Sequence, residues 1–163
     1  MGRFKSLVEF EEGIEKFKVD YRIPPNVGLR YCKEGEWNFL RQVGELVIPM
    51  ITFIEGGVRI PMGPAMRNYL RFVRLAPTQC VPNVFIIFGC VDTLNKKMGL
   101  RLTYHDVNWV YNFHHLKGKG YCLKTRQLEI RLIHCLLESS KRLNKDFFIV
   151  SGEWHDGNHC PMK

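Results

Sequence analysis

Apolar residues recur at helical spacing at the start of the chain. Within residues 5–18, Leu7, Phe10, Ile14 and Phe17 fall three, four and three apart, with acids between them. That stripe predicts an amphipathic helix within residues 1–19, packed on the body of the protein or on a partner. Residues 19–34 read as a loop, because Pro24-Pro25-Asn26-Val27-Gly28 resists a helix. A short helix carrying Trp37 and Leu40 is expected over residues 35–42. Residues 44–54 mix β-branched residues with Pro49 and fit either a helix or a strand.

Further on, Met62, Met66, Tyr69, Leu70 and Val73 predict a helix over residues 62–74. The stretch from Val84 to Val91 is apolar on nearly all sides. A helix of that kind belongs in a core, so a buried central helix is expected over about 79–97. Thr78 is its expected N-cap, with Pro82 in the first turn and Gly99 as the stop. Thr103 and Asp106 predict the start of another helix near 104–115, in which Trp109 and Phe113 share a core-facing side. Residues 121–126 and 146–151 read as strands, and residues 127–139 fit a helix or a strand. These elements predict a mainly α fold. It is a compact helical domain around the buried helix, with a small antiparallel β element near the C-terminus. A length of 163 residues fits one domain, 1–163, with a tail at 155–163.

Composition adds limits on class. The longest apolar run is far short of the ~20 residues that span a bilayer, so no membrane partner is expected. Glu9, Glu11 and Glu12 interrupt any apolar leader, which points to the nucleus or the cytoplasm. Six cysteines occur singly, without a C-x-x-C pair, and read as small buried hydrophobes.

Charge is concentrated in one place. Of the net charge of +8, the excess lies in residues 94–145, with 11 Lys and Arg against three Asp and Glu. Aromatic residues interleave with the cations there, from Tyr104 and Trp109 to Tyr121. Lys117, Lys119, Lys124 and Arg126 are therefore the candidate contacts to nucleic acid, through phosphates and stacked bases.

Catalytic motifs are incomplete. His155 and His159 have zinc-ligand spacing beside Cys160, but no upstream cysteine pair completes a site. His105-Asp106 lacks a partner nucleophile, and Gly118-Lys119-Gly120 lacks the phosphate-loop spacing. No cofactor or metal is expected. A metal-dependent transposase or nuclease would need Asp92, Asp106, Glu129 and Glu138 to converge. A protein-interaction or self-association module using the N-terminal helix is the other alternative.

Ordered blocks give a resemblance over roughly residues 20–154. They are Gly57-Val58-Arg59-Ile60-Pro61, Leu75-Ala76-Pro77-Thr78-Gln79-Cys80-Val81-Pro82-Asn83, and Lys145-Asp146-Phe147-Phe148-Ile149-Val150. In this order they resemble the gypsy-type transposon domain family of plants. The last block departs from the family pattern, with Leu143-Asn144 where a Trp usually stands before the lysine. The resemblance implies a transposable-element origin, and with the incomplete catalytic motifs the leading functional expectation is a non-enzymatic structural or assembly module of a retroelement protein. The resemblance implies no catalytic residues.

Overall fold

A computed structural model describes residues 4–33, 36, 44–117, 120–134, 136 and 146–154. In chain order the elements are α1 (Glu11–Asp20), β1 (Val27–Tyr31), β2 (Leu46–Pro49), α2 (Met50–Ile54), α3 (Pro64–Val73), α4 (Pro82–Met98), α5 (Tyr104–Val110), β3 (Tyr111–Leu116), β4 (Gly120–Thr125) and β5 (Phe147–Gly152). The expectation of a mainly α fold is overturned. The architecture is mixed α/β: among the described residues there are five α-helices, a three-stranded antiparallel sheet in the order β1-β5-β2, and a β3-β4 hairpin.

The sheet explains why the helical reading failed. Phe147 to Val150 is not a small terminal β element. It forms the central strand, pairing Leu29 with Val150 on one side and Ile48 with Phe148 on the other. Its residues alternate between two faces, as a strand requires. Phe148 and Val150 enter the main core with Leu46 and Ile48, while Ile149 packs with Val47 and Cys32 on the opposite face. The partner strands lie in segments read as a loop and as ambiguous. The prolines at 24 and 25 precede β1 rather than prevent it, and Pro49 ends β2 and caps α2.

Aromatic packing joins sheet and helices. Phe17 of α1 lies 4.9 Å from Phe148 and 5.9 Å from Phe53 of α2, ring centre to ring centre. The α1 stripe is only partly used, because the helix begins at Glu11 and leaves Leu7 and Phe10 exposed. Asp146, just before β5, is fully buried and accepts hydrogen bonds from the Phe4 N–H (2.9 Å) and the Tyr31 hydroxyl (2.7 Å). The Trp154 indole donates to the Gly44 carbonyl and ties the end of β5 to the approach to β2.

The predicted helix over 79–97 starts at Pro82 instead, with Val81 rather than Thr78 as N-cap. Residues Pro77–Gln79 form a 3-10 turn, closed by the Gln79 side chain accepting from the Ala76 N–H at 2.9 Å. Only the first half of α4 is buried, through Val84, Phe85, Ile87, Phe88 and Val91. Pro82 opens the helix without losing a ladder bond.

The other residues of the ordered blocks fall in different parts of the fold. Arg59 and Pro61 are exposed on the loop before α3, and the Ile60–Pro61 peptide is cis. Phe147 is half-buried, Phe148 and Val150 are buried, and Lys145 lies outside the described residues. The expected helix at 35–42 falls outside them except for Glu36, as do Cys135 and the His155, His159 and Cys160 tail.

Candidate nucleic-acid interface

The basic segment folds as α5 followed by the β3-β4 hairpin. Thr103 caps α5, accepting from the His105 N–H at 3.2 Å. Asp106 returns the cap by accepting from the Thr103 N–H (2.7 Å) and hydroxyl (2.9 Å). Those bonds, the backbone one first, hold the Asp106 carboxyl below its ordinary range.

The predicted helix over 104–115 stops at Val110. From there Tyr111, Phe113 and His115 alternate with Asn112 and His114, and β3 pairs with β4 in register from Tyr111–Thr125 to Leu116–Gly120. Arg126 closes the end of α5. Its backbone N–H donates to the Val110 carbonyl (2.9 Å) and its Nε to the Asn108 carbonyl (2.8 Å).

This geometry corrects the placement of two rings. Trp109 is 85% exposed and Phe113, 37% exposed, stands on a strand, so they share no core-facing helical side. Trp109 projects from the solvent side of a two-turn helix whose buried residue is Val107. Phe113 instead stacks on Tyr121 across the hairpin at 4.8 Å, with the rings parallel within 1°. A third ring, His115, lies 4.8 Å from Tyr121.

The candidate cations do not form one cluster. Lys117 sits beyond the Leu116–Gly120 rung, while Lys124 faces Asn112 four rungs away. At strand rise that separation is about 14 Å. Both are exposed, and Lys119 lies outside the described residues. Arg126 is exposed too, but its guanidinium is committed to the end of α5.

Ion pairing differs between the two halves. Among the described residues, the four salt bridges involve Lys5, Lys18 and Arg30 only. Lys96, Lys97, Arg101, Lys117 and Lys124 have no acidic partner there. Unpaired cations keep their full attraction for an external anion.

The acids that a metal nuclease would need serve elsewhere. Asp92 accepts from the Ala65 N–H at 3.0 Å and caps α3, Asp106 caps α5, and Glu129 is exposed. Glu138 lies outside the described residues, among which no three His, Cys, Asp or Glu side chains converge as metal ligands. Of the described cysteines, Cys32, Cys80 and Cys122 are buried and Cys90 is half-buried. Burial pushes the Cys80 thiol up to about 12. No described helix is long and apolar enough to cross a membrane.

Sequence reasoning missed a ring group on the other side of α5. Phe72 of α3 stacks on Tyr104 at 4.7 Å, and Tyr104 lies 4.2 Å from His105. The signal for it was weak, because Phe72 reads as one more apolar residue of an amphipathic helix. Two clefts flank α5: one of about 630 Å³ against α3 and α4, the other of about 480 Å³ against the segment after β4. In comparisons with known proteins, no family model, curated protein or solved structure matches the chain.

Proposed function

We propose that this chain is a non-enzymatic assembly domain of a gypsy-type transposable-element protein and that it contacts nucleic acid through its basic segment. The observation that carries the reading is the set of cations at the end of α4 and on the hairpin that have no acidic partner among the described residues, beside exposed rings. Backbone phosphates are the chemistry that such a surface attracts. The commitment of Asp92 and Asp106 to helix caps favours this over a metal-dependent nuclease. The origin in a transposable element rests on the ordered blocks. Several of their residues hold the fold together here, as Gln79, Asn83 and Phe148 do.

A second reading has its own support. Leu7, Phe10 and Val19 at the N-terminus are exposed apolar residues, which suits docking to a protein or self-association.

Affinity for an oligonucleotide measured against salt separates the two. A phosphate binder loses affinity steeply as salt rises. Replacing Lys117, Lys119 and Lys124 with Ala should reduce the log–log slope by up to about 2 for a single strand. Arg126 is left in place because it ends α5. No binding at low salt would remove the nucleic-acid reading and leave assembly through the N-terminal face, testable by sedimentation of a Phe10→Ser variant.

A further inference from the structure

We infer that α5 is a base-stacking ridge and that the nucleic acid it takes is single-stranded, an inference that rests on the nucleic-acid reading above. The helix carries three ring residues, Tyr104, His105 and Trp109, and no Lys or Arg. His105 and Trp109 lie four apart, on one side of the helix. Trp109 is 85% exposed, the highest value among the large apolar residues described. Phe72 backs Tyr104 with rings 28° apart, and Tyr104 lies 4.2 Å from His105, so this pair braces the His105 end of the ridge from the adjoining side of the helix.

Cations lie beside the ridge rather than on it. Lys96 lines the first cleft and Arg126, its Nε held on the Asn108 carbonyl at the end of α5, the second, while His105 borders both. Amide side chains accompany each cation: Asn68 in the first cleft, Gln127 in the second. An amide offers both donors and an acceptor to a base edge. The one carboxylate in the first cleft, Asp92, is turned onto the Ala65 N–H at the start of α3.

Rings in the middle with cations at the sides suit a strand that lays unpaired bases on the rings and its phosphates along the flanks. A duplex hides its base faces in the stack. A helix that reads a duplex groove carries Arg, Lys, Asn or Gln toward base edges, and α5 has only Asn108 of these. An exposed indole facing solvent gains from covering by a base, whichever base it is.

The test compares a labelled single strand of about 12 nucleotides with the blunt duplex of the same sequence, for the wild type, Trp109→Ala and Trp109→Phe. The wild type should prefer the single strand. Trp109→Ala should weaken single-strand binding by about ten-fold, leave duplex binding unchanged and leave the salt slope unchanged. Trp109→Phe should keep most of the affinity while losing the quenching of intrinsic fluorescence that stacking on Trp109 produces. Because Trp109 is so exposed, neither variant endangers the fold. Equal losses on both ligands, no loss in Trp109→Ala, or a preference for duplex would overturn the ridge. If the lysine variants flatten the slope while Trp109→Ala changes nothing, the nucleic-acid reading survives and the ridge falls. If the wild type binds neither ligand at low salt, both fall.

Discussion

The side-chain amide of Asn83 pairs with the backbone of Leu123 as a neighbouring strand would. Its Nδ2 donates to the Leu123 carbonyl at 2.8 Å, and its Oδ1 accepts from the Leu123 N–H at a longer 3.5 Å. Two residues earlier, the Val81 N–H donates to the Tyr121 carbonyl at 2.9 Å. The first turn of α4 thus covers the free edge of β4 and holds the whole hairpin against the core. An uncovered edge would leave buried polar groups unmet.

Asn83→Ala should therefore destabilise the protein by about 1–3 kcal/mol, because it leaves the buried Leu123 carbonyl without a donor. Asn83→Asp should cost more, since it sets a carboxylate against that carbonyl. Urea unfolding measures both. Faster amide exchange at Leu123, with α1 unaffected, would locate the effect in the hairpin, and wild-type stability in both variants would refute the pairing.

Legibility of this fold depended on how local each element is. The aromatic and β-branched run Phe147 to Val150 reads locally as a strand, and it is the heart of β5. Its central position was not visible, since its partners β1 and β2 lie about a hundred residues away. Antiparallel pairing over that distance leaves no local mark. At α5 the competing signals were both local. Trp109 and Phe113 fit helical spacing, while Tyr111, Phe113 and His115 fit alternation, and pairing with β4 decided for the strand. The candidate lysines could be named from charge alone. The ring ridge could not, because Phe72 reaches Tyr104 only through tertiary packing of α3 on α5.

Gly63 and Asp92 form a matched pair. A Cβ at Gly63 would come within 1.9 Å of Asp92 Oδ2, the carboxylate that caps α3. Gly63→Ala should push that carboxylate off the Ala65 N–H and cost about 1 kcal/mol. In an Asp92→Ala background the same change should cost much less. The two single changes would then be non-additive in thermal or urea unfolding. Full additivity would show that the crowding is relieved without loss of the cap.

Tyr69 is fully buried, stacks on Phe88 at 4.3 Å, and its hydroxyl has no hydrogen-bond partner among the described residues. Burial first, then the nearby Cys80 and Cys122, raises its ionisation well above the usual tyrosine range. The ring stabilises the core and the hydroxyl does not. Tyr69→Phe should leave stability unchanged or raise it by up to about 1 kcal/mol, whereas Tyr69→Ala should cost about 3–5 kcal/mol. A marked loss in Tyr69→Phe, measured by urea unfolding, would reveal a partner for the hydroxyl.

The Thr103–Asp106 cap gives α5 a defined acid sensitivity. Asp106 titrates below its ordinary value of 3.8, chiefly because the Thr103 N–H and then the Thr103 hydroxyl donate to the ionised form. A carboxyl depressed in the folded state stabilises it above the unfolded-state value, and that contribution is lost as pH falls through the folded one. The cap should therefore be intact at neutral pH and be lost progressively as pH falls through the depressed midpoint of Asp106. The Asp106 side-chain carboxyl signal, followed by NMR from neutral to acid, should show a midpoint under 3.8. In Thr103→Ala the backbone N–H remains but the hydroxyl is gone, so the midpoint should move part of the way back up. A wild-type midpoint at or above the ordinary value would show that the cap does not hold the charged form. A Thr103→Ala midpoint that does not move would assign the whole effect to the backbone donor.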